Sequence, residues 1–550
     1  MWNRPSAFAA SIAFFACTLA PASSAVAQAA LTGQVTSAEE GPMEGVVVSA
    51  KKLGSPMTLS VVSDAQGRYS FPASRLAPGH YAIKIRATGY DLDGERSADV
   101  RSGTITTADL SLRKTKDISA QLTNAEWLAS MPGTDAQKKS LLNCVNCHTL
   151  ERIVRSTHNA AEFMQVIQRM SGYYQGSTPL HSQRFAQDVQ RPLGTEAKGL
   201  AEYLASVNLS TGDRWSYSLR TFPRPTGNAT HVVVTEYALP SPEIQPHDVV
   251  VDSAGLVWFS DFGEPYLSRM DPNSGETQRF PLPIVKKGLP VGSLDLETDP
   301  DGNLWIGMMQ QGGIAKFDKR TETVVPYPLP DKWQTDGSTY QQATAAHSNV
   351  DGKVWSKNSE GNQLLRLDLK TGDWENFGAL KDPVTNRNIA MYGMPSDSRN
   401  NVYLLDISAG SIARLDAKTR QLTVYRTPTP NSRPRRGRVD AQDRLWFGEY
   451  AGNAIGMFDP QSEHITEWRL QTPWSEPYDV ALGKDGMAWT GSMLTDRVAR
   501  LDPDTGHITE YLLPQPTNIR RVFVDDRTTP STLWVGNTHG ASIIKIEPTE

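Results

Sequence analysis

The sequence predicts a multidomain, mainly β protein with an N-terminal β-sandwich, a small all-α domain and a C-terminal seven-bladed β-propeller. Three observations support this fold class. Short alternating segments fill residues 30–113, helical periods fill residues 120–208, and a unit of 43 to 50 residues recurs within residues 231–550. The chain of 550 residues is also too long for a single hydrophobic core.

Residues 1–27 have the pattern of an export signal. An apolar run over residues 7–20 is followed by the small residues Ala25–Ala27, which is typical of a cleaved signal peptide. No later stretch reaches the roughly 20 apolar residues that cross a bilayer, so we expect a periplasmic protein without a transmembrane segment. Cys17 leaves a lipoprotein open as an alternative, although Phe14 stands where a lipobox usually has leucine.

Composition narrows the choice of partners and the role of the cysteines. The chain has 55 Lys and Arg against 60 Asp and Glu, a net charge of -5, so nucleic acid is not an expected partner. Signal cleavage would remove one of the three cysteines and leave Cys144 and Cys147. A disulfide framework is then impossible, and these two thiols need another explanation.

Residues 30–113 alternate apolar and polar positions, as in His80–Arg86. Turn signals such as Asp64–Gly67 separate the predicted strands. The order of these segments, from Gly33–Val35 to Gly89–Tyr90, resembles the carboxypeptidase regulatory-like family. That resemblance implies an accessory β-sandwich, and no cluster of His, Cys or carboxylate residues in the segment points to catalysis.

Residues 120–208 change to helical periods. Asn159 and Glu162 form a capping-box pattern that predicts the start of a helix. Behind them an apolar set repeats at helical spacing and consists of Phe163, Val166, Ile167 and Met170. A second apolar stripe begins near Thr195, and residues 209–230 are predicted to be a linker because they are rich in Ser, Thr, Pro and Gly.

The segment Cys144–His148 is the most specific motif of the chain, with the pattern C-x-x-C-H. This spacing presents two thiols to the two vinyl groups of one haem and places an imidazole under the iron. We therefore expect covalent haem c on Cys144, Cys147 and His148. A redox dithiol or half of a zinc site would use the same thiols, but the first expects a βαβ context and the second a further Cys/His pair.

Residues 122–208 resemble a class I cytochrome c, through the haem motif, a following Arg-rich helix and the terminal helix Leu200–Ser206. That resemblance implies that His148 is the proximal metal ligand and that a Met or His is the distal one. We name Met170 as the second metal ligand because it shares a helical face with Phe163. The other distal candidates are Met164, His158 and His181, and the arginines that could pair with haem propionates are Arg152, Arg155 and Arg169.

From residue 231 onward one unit is repeated. In each copy an aromatic residue follows a turn, and an acidic residue follows the aromatic at a constant offset of 13. The aromatic residues are Trp258, Trp305, Trp355, Tyr403, Trp446, Trp489 and Trp534, and the acidic ones are Asp271, Asp318, Asp368, Asp416, Asp459, Asp502 and Glu547. Units of this kind form propeller blades. The last copy lacks its final strand, which we expect Val232–Leu239 to supply.

The propeller resembles the virginiamycin B lyase family, through repeats such as Arg444–Glu449. That resemblance implies magnesium-dependent cleavage of a cyclic depsipeptide by elimination, with His and Glu residues on adjacent blades. In this chain Arg435 and Tyr478 replace histidines of the family pattern, and Met493 or Leu494 falls where a metal-binding glutamate is expected. No magnesium site is therefore supported, and lyase activity is not expected.

The centre of the propeller is where any other site would form, because blade-entry positions converge there. The catalytic candidates are His247, His347, Glu449, Glu476 and His539. We expect an exported electron-transfer protein whose propeller binds a redox partner protein or a small-molecule substrate. The alternatives are a haem-linked oxidoreductase with its substrate in the propeller, a magnesium lyase, and a binding scaffold.

Overall fold

The computed structural model describes residues 1–2, 29–94, 96–174, 176–184, 193–210, 212–334 and 341–549. The predicted signal peptide, including Cys17, lies outside these residues except for its first two positions. The described residues are mainly β, with a sandwich at the N-terminal side and a propeller at the C-terminal side. None of the helices they contain is long and apolar enough to cross a membrane.

The N-terminal sandwich has two sheets. Its described strands are β1 (Ala29–Ser37), β2 (Gly41–Pro42), β3 (Val47–Lys52), β4 (Met57–Val62), β5 (Arg68–Pro72), β6 (Gly79–Arg86), β7 (Tyr90–Leu92), β8 (Arg96–Val100), β9 (Thr106–Thr107) and β10 (Leu110–Lys114). One sheet has the order β2-β1-β10-β7, with β5 and β9 also paired to β1, and the other contains β4-β3-β6-β8. Val48, Phe71 and Leu110 belong to the core between them. The predicted N-terminal β-sandwich is confirmed.

A helical segment follows the sandwich. Its α-helices are α1 (Asn124–Ser130), α2 (Asp135–Ser140), α3 (Glu151–Val154), α4 (Ala160–Met170) and α5 (Ala197–Val207). The predicted capping box is present, since the Glu162 amide donates to the Asn159 side chain at 3.0 Å and the reciprocal bond is also made. Helix α5 begins two residues after Thr195, and its apolar stripe brings Ala201 and Leu204 into the helical core.

The propeller begins with β11 (Val232–Ala238) and continues through seven sheets within the described residues. Blade one is β12 (Pro246–Val251), β13 (Val257–Asp261), β14 (Tyr266–Met270) and β15 (Thr277–Pro281); blade two is β16 (Gly292–Thr298), β17 (Leu304–Met309), β18 (Gly313–Asp318) and β19 (Thr323–Pro328). Blade three is β20 (Gln341–Thr344), β21 (Lys353–Asn358), β22 (Gln363–Asp368) and β23 (Trp374–Gly378); blade four is β24 (Val402–Leu405), β25 (Ser411–Leu415) and β26 (Leu422–Arg426).

In the remaining blades, as in the first four, consecutive strands pair antiparallel. Blade five is β27 (Pro434–Val439), β28 (Leu445–Glu449), β29 (Ala454–Asp459) and β30 (His464–Arg469); blade six is β31 (Pro477–Leu482), β32 (Ala488–Ser492), β33 (Arg497–Leu501) and β34 (Ile508–Leu512). Blade seven is β35 (Ile519–Asp525), β36 (Thr532–Asn537) and β37 (Ser542–Pro548), completed by β11. In blade four, residues 391–396 take the inner position and make only isolated bridges to the next strand.

Strand β11 joins the propeller to the N-terminal sandwich. It pairs antiparallel with β37, with Val232 opposite Pro548, and so closes the ring as predicted. Its other edge pairs antiparallel with β4 of the sandwich, with Val233 opposite Val61. One continuous sheet therefore runs from blade seven into the N-terminal sandwich. Both edges of β11 are occupied, which removes an exposed strand edge from the closing blade.

The repeated residues of the sequence have separate structural roles. The seven aromatic residues are buried on the second strand of each blade. The acidic residue that follows opens the turn between the third and fourth strands, as where Asp318 accepts from the amides of Arg320 at 2.8 Å and Thr321 at 3.1 Å. In blade seven, Glu547 instead forms a salt bridge to Arg75 at 2.7 Å. The repeat therefore specifies one core position in every blade and one turn in blades one to six.

Candidate functional site

Four inner strands place equivalent side chains at the end of the central channel where these strands begin. Strands β12, β27, β31 and β35 each show a shift in register directly after their first residue. The residue at that position is His247 in blade one, Arg435 in blade five, Tyr478 in blade six and Arg520 in blade seven. All four side chains are buried. We call these four residues the upper layer.

Tyr478 connects the upper layer by hydrogen bonds and ring contacts. Its hydroxyl lies 3.1 Å from Nε2 of His247 and 2.5 Å from the hydroxyl of Tyr392, which comes from blade four. The guanidinium carbon of Arg435 lies 4.2 Å from the centre of the Tyr478 ring and 4.3 Å from that of Tyr450. A connected set of aromatic and cationic groups therefore fills this end of the channel.

The next residues along the same strands form a second layer that consists of charged groups. This lower layer comprises Asp248, Arg436, Asp479 and Arg521, together with Asp295 of blade two. Arg521 contacts Asp479 at 2.8 Å and Asp295 at 3.2 Å, and Arg436 contacts Asp295 at 2.6 Å. All five side chains are buried. Ion pairs between blades therefore compensate the buried charges of the lower layer.

The helical segment packs against the upper end of the channel. At the start of α1, the amide of Ala125 donates to the carbonyl of Leu494 in blade six at 3.0 Å. Buried apolar side chains of the helices form one cluster with Tyr450, Tyr478 and Met493 of the propeller. The upper layer therefore lies at an interface between two parts of the chain. The lower layer lies one residue farther into the channel.

The Cys144–His148 motif is part of this interface. It begins in the 3-10 helix Leu141–Asn146, and the amides of Cys147 and His148 donate to the carbonyl of Cys144 at 3.2 and 3.3 Å. The two cysteines therefore lie one turn apart, and neither forms a disulfide. Burial raises the pKa of the Cys144 thiol to about 11 and also raises the pKa of Cys147.

The ring of His148 is oriented by its own backbone. Its Nδ1 lies 2.9 Å from the carbonyl oxygen of Thr149, which favours the tautomer that donates from Nδ1 and keeps a lone pair on Nε2. Burial lowers the pKa of His148, so the neutral imidazole is favoured at neutral pH. A neutral imidazole with a lone pair on Nε2 is the form that binds a metal.

Blade seven holds the two residues between the cysteines. Nη2 of Arg520 donates to the carbonyl of Asn146 at 2.9 Å, and Nδ2 of Asn518 donates to the carbonyl of Val145 at 3.2 Å. Nε2 of His539 lies 3.3 Å from the same Asn146 oxygen. These contacts fix the motif directly against the upper layer.

Three of the five catalytic candidates lie at the upper end of the channel: His247, Glu476 and His539. His247 is stacked on Phe262, with 4.4 Å between ring centres. Burial raises the pKa of Glu476 to about 8, and burial together with the charge of Arg520 lowers the pKa of His539 to about 4. At neutral pH, burial thus favours the uncharged form of both Glu476 and His539.

The other two candidates do not join this group, although Glu449 pairs with Pro434 at the same end of blade five. Glu449 is buried at the end of β28, where burial and the nearby carboxylate of Glu467 raise its pKa to about 9. His347 follows β20 at the opposite end of the channel, with Nδ1 3.2 Å from the hydroxyl of Ser396. The structure therefore does not bring all five candidates together.

The candidates for the distal haem ligand are spread over the helical segment. Met170 is the last residue of α4 and its side chain is 41% exposed, whereas Phe163 anchors that helix in the core. His158 packs edge-on against Phe163, and Nδ1 of His181 lies 3.2 Å from the carboxylate of Glu243 at the start of blade one. The predicted apolar face of α4 is thus present, but Met170 lies at its exposed end.

The remaining candidates of the helical segment also differ in their surroundings. Met164 packs against the helical core. Arg155 is engaged by Asp117 at 2.8 Å and by Glu151 at 2.7 Å. Arg152 and Arg169 are exposed. Arg155 therefore already has two carboxylate partners.

The positions that the lyase resemblance singles out hold groups of a different kind. Arg435 and Tyr478 belong to the upper layer, while Met493 and Leu494 are fully buried. Nη1 of Arg435 contacts the sulfur of Met493 at 3.6 Å. Within the described parts of the chain, no three His, Cys, Asp or Glu side chains converge as a metal site would need.

Sequence reasoning missed Tyr392, Asn518 and Arg520. A signal for Arg520 existed, since it occupies the same position in its blade as His247 does in blade one. No comparable signal marked Tyr392, because the inner segment of blade four is irregular and does not keep the register of the other blades. Asn518 precedes its strand, where the repeat specifies no residue type.

Comparisons with known proteins identify a family for the sandwich and a family for the propeller. Residues 30–113 match the carboxypeptidase regulatory-like domain, and residues 228–501 and 379–550 match the virginiamycin B lyase family. No curated protein matches the chain.

Among solved structures, selenomethionine-substituted virginiamycin B lyase from Staphylococcus aureus is 22% identical, with a TM-score of 0.49, and the match covers 57% of this chain and 99% of that one. A catalytically inactive form of that lyase with quinupristin gives the same values. A streptogramin B lyase structure is 21% identical with a TM-score of 0.49, covering 58% of this chain and 99% of the other. The family matches together span residues 228–550, which is more than half of this chain. The chain therefore belongs to the virginiamycin B lyase family.

Proposed function

We propose that this protein is an exported, periplasmic c-type haem protein that transfers electrons. Cys144 and Cys147 would bind the haem covalently and His148 would ligate its iron, within a cytochrome c-like helical domain at residues 120–208. The observation that carries the proposal is the arrangement of these residues: two unbridged thiols one turn apart, followed directly by a neutral, oriented imidazole. When bound, the haem would supply one-electron chemistry.

The donor set fits this group better than it fits the alternatives. A redox dithiol needs a stabilised thiolate, but burial raises the pKa of both Cys144 and Cys147. A structural zinc site needs four ligands, and the described residues around the motif do not provide a second Cys/His pair. Thioether formation consumes the thiols, so their raised pKa in the folded chain does not oppose haem attachment.

The chain's own residues have separate tasks in this proposal. The helical core, which includes Trp127, Leu150 and Tyr203, packs against Cys144 of the attachment motif. Arg520 and Asn518 hold the backbone between the two cysteines. The propeller and the sandwich would then bind the redox partner or the substrate.

A haem-linked oxidoreductase is a second candidate, and the contact between the motif and the upper layer favours it. Asn146 of the motif is bound by Arg520 of the upper layer, and His247 and Tyr478 of the same layer form a hydrogen-bonded chain with Tyr392 of blade four. Groups within hydrogen-bond distance of one another can pass protons, here beside the proposed redox centre. Lyase chemistry is not part of the proposal because Arg435 and Tyr478 replace the imidazoles that it would need.

A pyridine haemochrome assay combined with intact mass tests the main proposal. The full chain would be produced together with a cytochrome c assembly system. We expect one covalent haem per chain, and we expect the double variant Cys144→Ser/Cys147→Ser to lose it. As a matched control, Ser140→Ala, one turn before the motif, should keep its haem. Colourless wild-type protein with no added mass would contradict the proposal.

Reduction kinetics separate the two candidate functions. The oxidised holoprotein would be mixed in a stopped-flow instrument with a panel of small reductants, including quinols, phenols and alcohols. Rapid, saturable reduction by one class, slowed in Tyr478→Phe, would favour the oxidoreductase. Reduction only by protein partners and by dithionite would favour electron transfer.

A further inference from the structure

We propose that the propeller raises the reduction potential of the haem, through the buried positive charges of Arg520 and Arg435. This inference rests on the proposed function, since it needs a haem on the Cys144–His148 motif. It assigns to the upper layer a role in tuning the redox centre. In this chain, the positions where the family pattern has catalytic histidines would therefore serve the haem and not lyase chemistry.

Arg520 is the closer of the two charges to the motif. Its Nη2 donates to the carbonyl of Asn146 at 2.9 Å, and its Nε donates to the side chain of Asn518 at 2.9 Å. Its guanidinium carbon also lies 5.1 Å from the ring centre of Phe262. The side chain is 5% exposed, and no carboxylate of the described residues forms a salt bridge with it. Its positive charge therefore remains uncompensated beside the attachment turn.

Arg435 has a similar environment on the other side of Tyr478. Three tyrosine rings surround it, with the guanidinium carbon 4.2 Å from the centre of Tyr478, 4.3 Å from Tyr450 and 4.8 Å from Tyr392. The side chain is 7% exposed, and among the described residues it too has no salt bridge to a carboxylate. Burial raises the pKa of nearby Glu476 to about 8, so this carboxyl group is mainly protonated at neutral pH and leaves the charge uncompensated.

In the lower layer, the same strands place buried arginines next to carboxylates that compensate their positive charge. Arg436 and Arg521 are also buried, but each contacts the carboxylate of Asp295, at 2.6 and 3.2 Å. The two arginines of the upper layer are thus the exception. A charge in a low-dielectric interior acts over a longer distance than a charge in water. The upper layer therefore presents a net positive potential to the helical segment.

The sign of the effect follows from the charge change on reduction. Adding an electron lowers the charge of the haem iron by one, so a nearby cation stabilises the reduced form more than the oxidised form. Arg520 and Arg435 would both raise the potential. Arg520 would have the larger effect because it is hydrogen-bonded to the motif.

Redox titration of the holoprotein with matched variants tests this inference. Arg520→Gln removes the charge and keeps a donor for Asn146, whereas Arg520→Lys keeps the charge. We expect Arg520→Gln to lower the equilibrium constant for reduction about threefold or more, and Arg520→Lys to remain close to wild type. Arg435→Gln should shift the potential in the same direction by less. The control is Arg269→Gln, which removes a partly exposed arginine paired to Glu322 on the outside of blade one.

The outcomes are distinct from those of the haem assay. Wild-type protein without haem would refute the proposed function, whereas a haem protein whose Arg520→Gln and Arg435→Gln variants titrate like the control would overturn this inference alone. If the reduction potential of Arg520→Lys falls as far as that of Arg520→Gln, the residue positions the motif and the electrostatic assignment is wrong. If Arg520→Gln fails to incorporate haem, Arg435→Gln decides, because Arg435 has no hydrogen bond to the motif among those described.

Discussion

The upper and lower layers occupy adjacent residues of the same inner strands, yet they have opposite character. In the lower layer, carboxylates and guanidinium groups from different blades bind one another, as Arg521 does with Asp479 and Asp295. In the upper layer, Arg435 and Arg520 meet aromatic rings and backbone carbonyls, and the helical segment packs on them. The difference indicates that the lower layer closes the ring, whereas the upper layer serves the interface with the Cys144–His148 motif.

Removing a cation from the lower layer should reduce stability the most. Arg521→Met should lower the free energy of unfolding by about 3–5 kcal/mol, because it removes the 2.8 Å ion pair of buried Asp479, whose other cation, Arg438, lies 3.8 Å away. Urea unfolding followed by tryptophan fluorescence would measure this. Arg269→Met is the matched control, and it should lose no more than about 1 kcal/mol because its partner Glu322 is half exposed. Equal losses in the two variants would mean that the lower layer does not close the ring.

A smaller effect is expected in the upper layer. Tyr478→Phe removes the hydroxyl that contacts His247 and Tyr392 but keeps the ring, and it should cost about 1–2 kcal/mol. The same urea titration would measure the loss, and haem content should not change. Tyr425→Phe, whose hydroxyl contacts Glu463 at the surface, should have almost no effect. A loss as large as that of Arg521→Met would erase the distinction between the two layers.

The protonation of Glu476 adds a pH-dependent effect at the same end of the channel. Burial raises its pKa to about 8, against the opposing influence of Lys139, Arg435 and Arg433. The folded protein therefore keeps a proton that the unfolded chain loses near pH 4.5, so stability should fall as the pH rises from there and level off above about pH 8. Glu476→Gln should flatten this fall between pH 5 and 8. Unfolding free energies that change identically with pH in both proteins would argue against a protonated Glu476.

The sequence repeats predicted much of the fold because each repeated residue acts locally. The buried aromatic of each blade, the aspartate at each turn and the capping box at Asn159 all satisfy neighbours within the same hairpin or helix. The closing strand Val232–Ala238 was also predictable, since the last repeat lacked a partner of its type. Local sequence patterns therefore predict the secondary structure and the number of blades.

The candidate site was less accessible to the same reasoning. Contacts such as Arg520 with Asn146 join blade seven to the helical segment, and no periodicity in the chain encodes how these two parts pack. His347 shares its residue type with His247 but follows the end of its strand, so the ring places it at the opposite end of the channel. Tyr392 lies where the repeat is irregular. The positions of these side chains depend on packing between separate parts of the chain, through side-chain shape and charge, and the repeats do not encode that packing.

The continuous sheet through β11 has a consequence for how the molecule assembles. Strand β11 lies between β4, roughly 170 residues earlier, and β37, roughly 300 residues later in the chain. Ring closure must therefore wait until blade seven has been synthesised, and until then β11 can rest only on the sandwich. Pairings over such distances are formed slowly. The sandwich would act in this interval as a template that keeps β11 extended and protected from pairing with other chains.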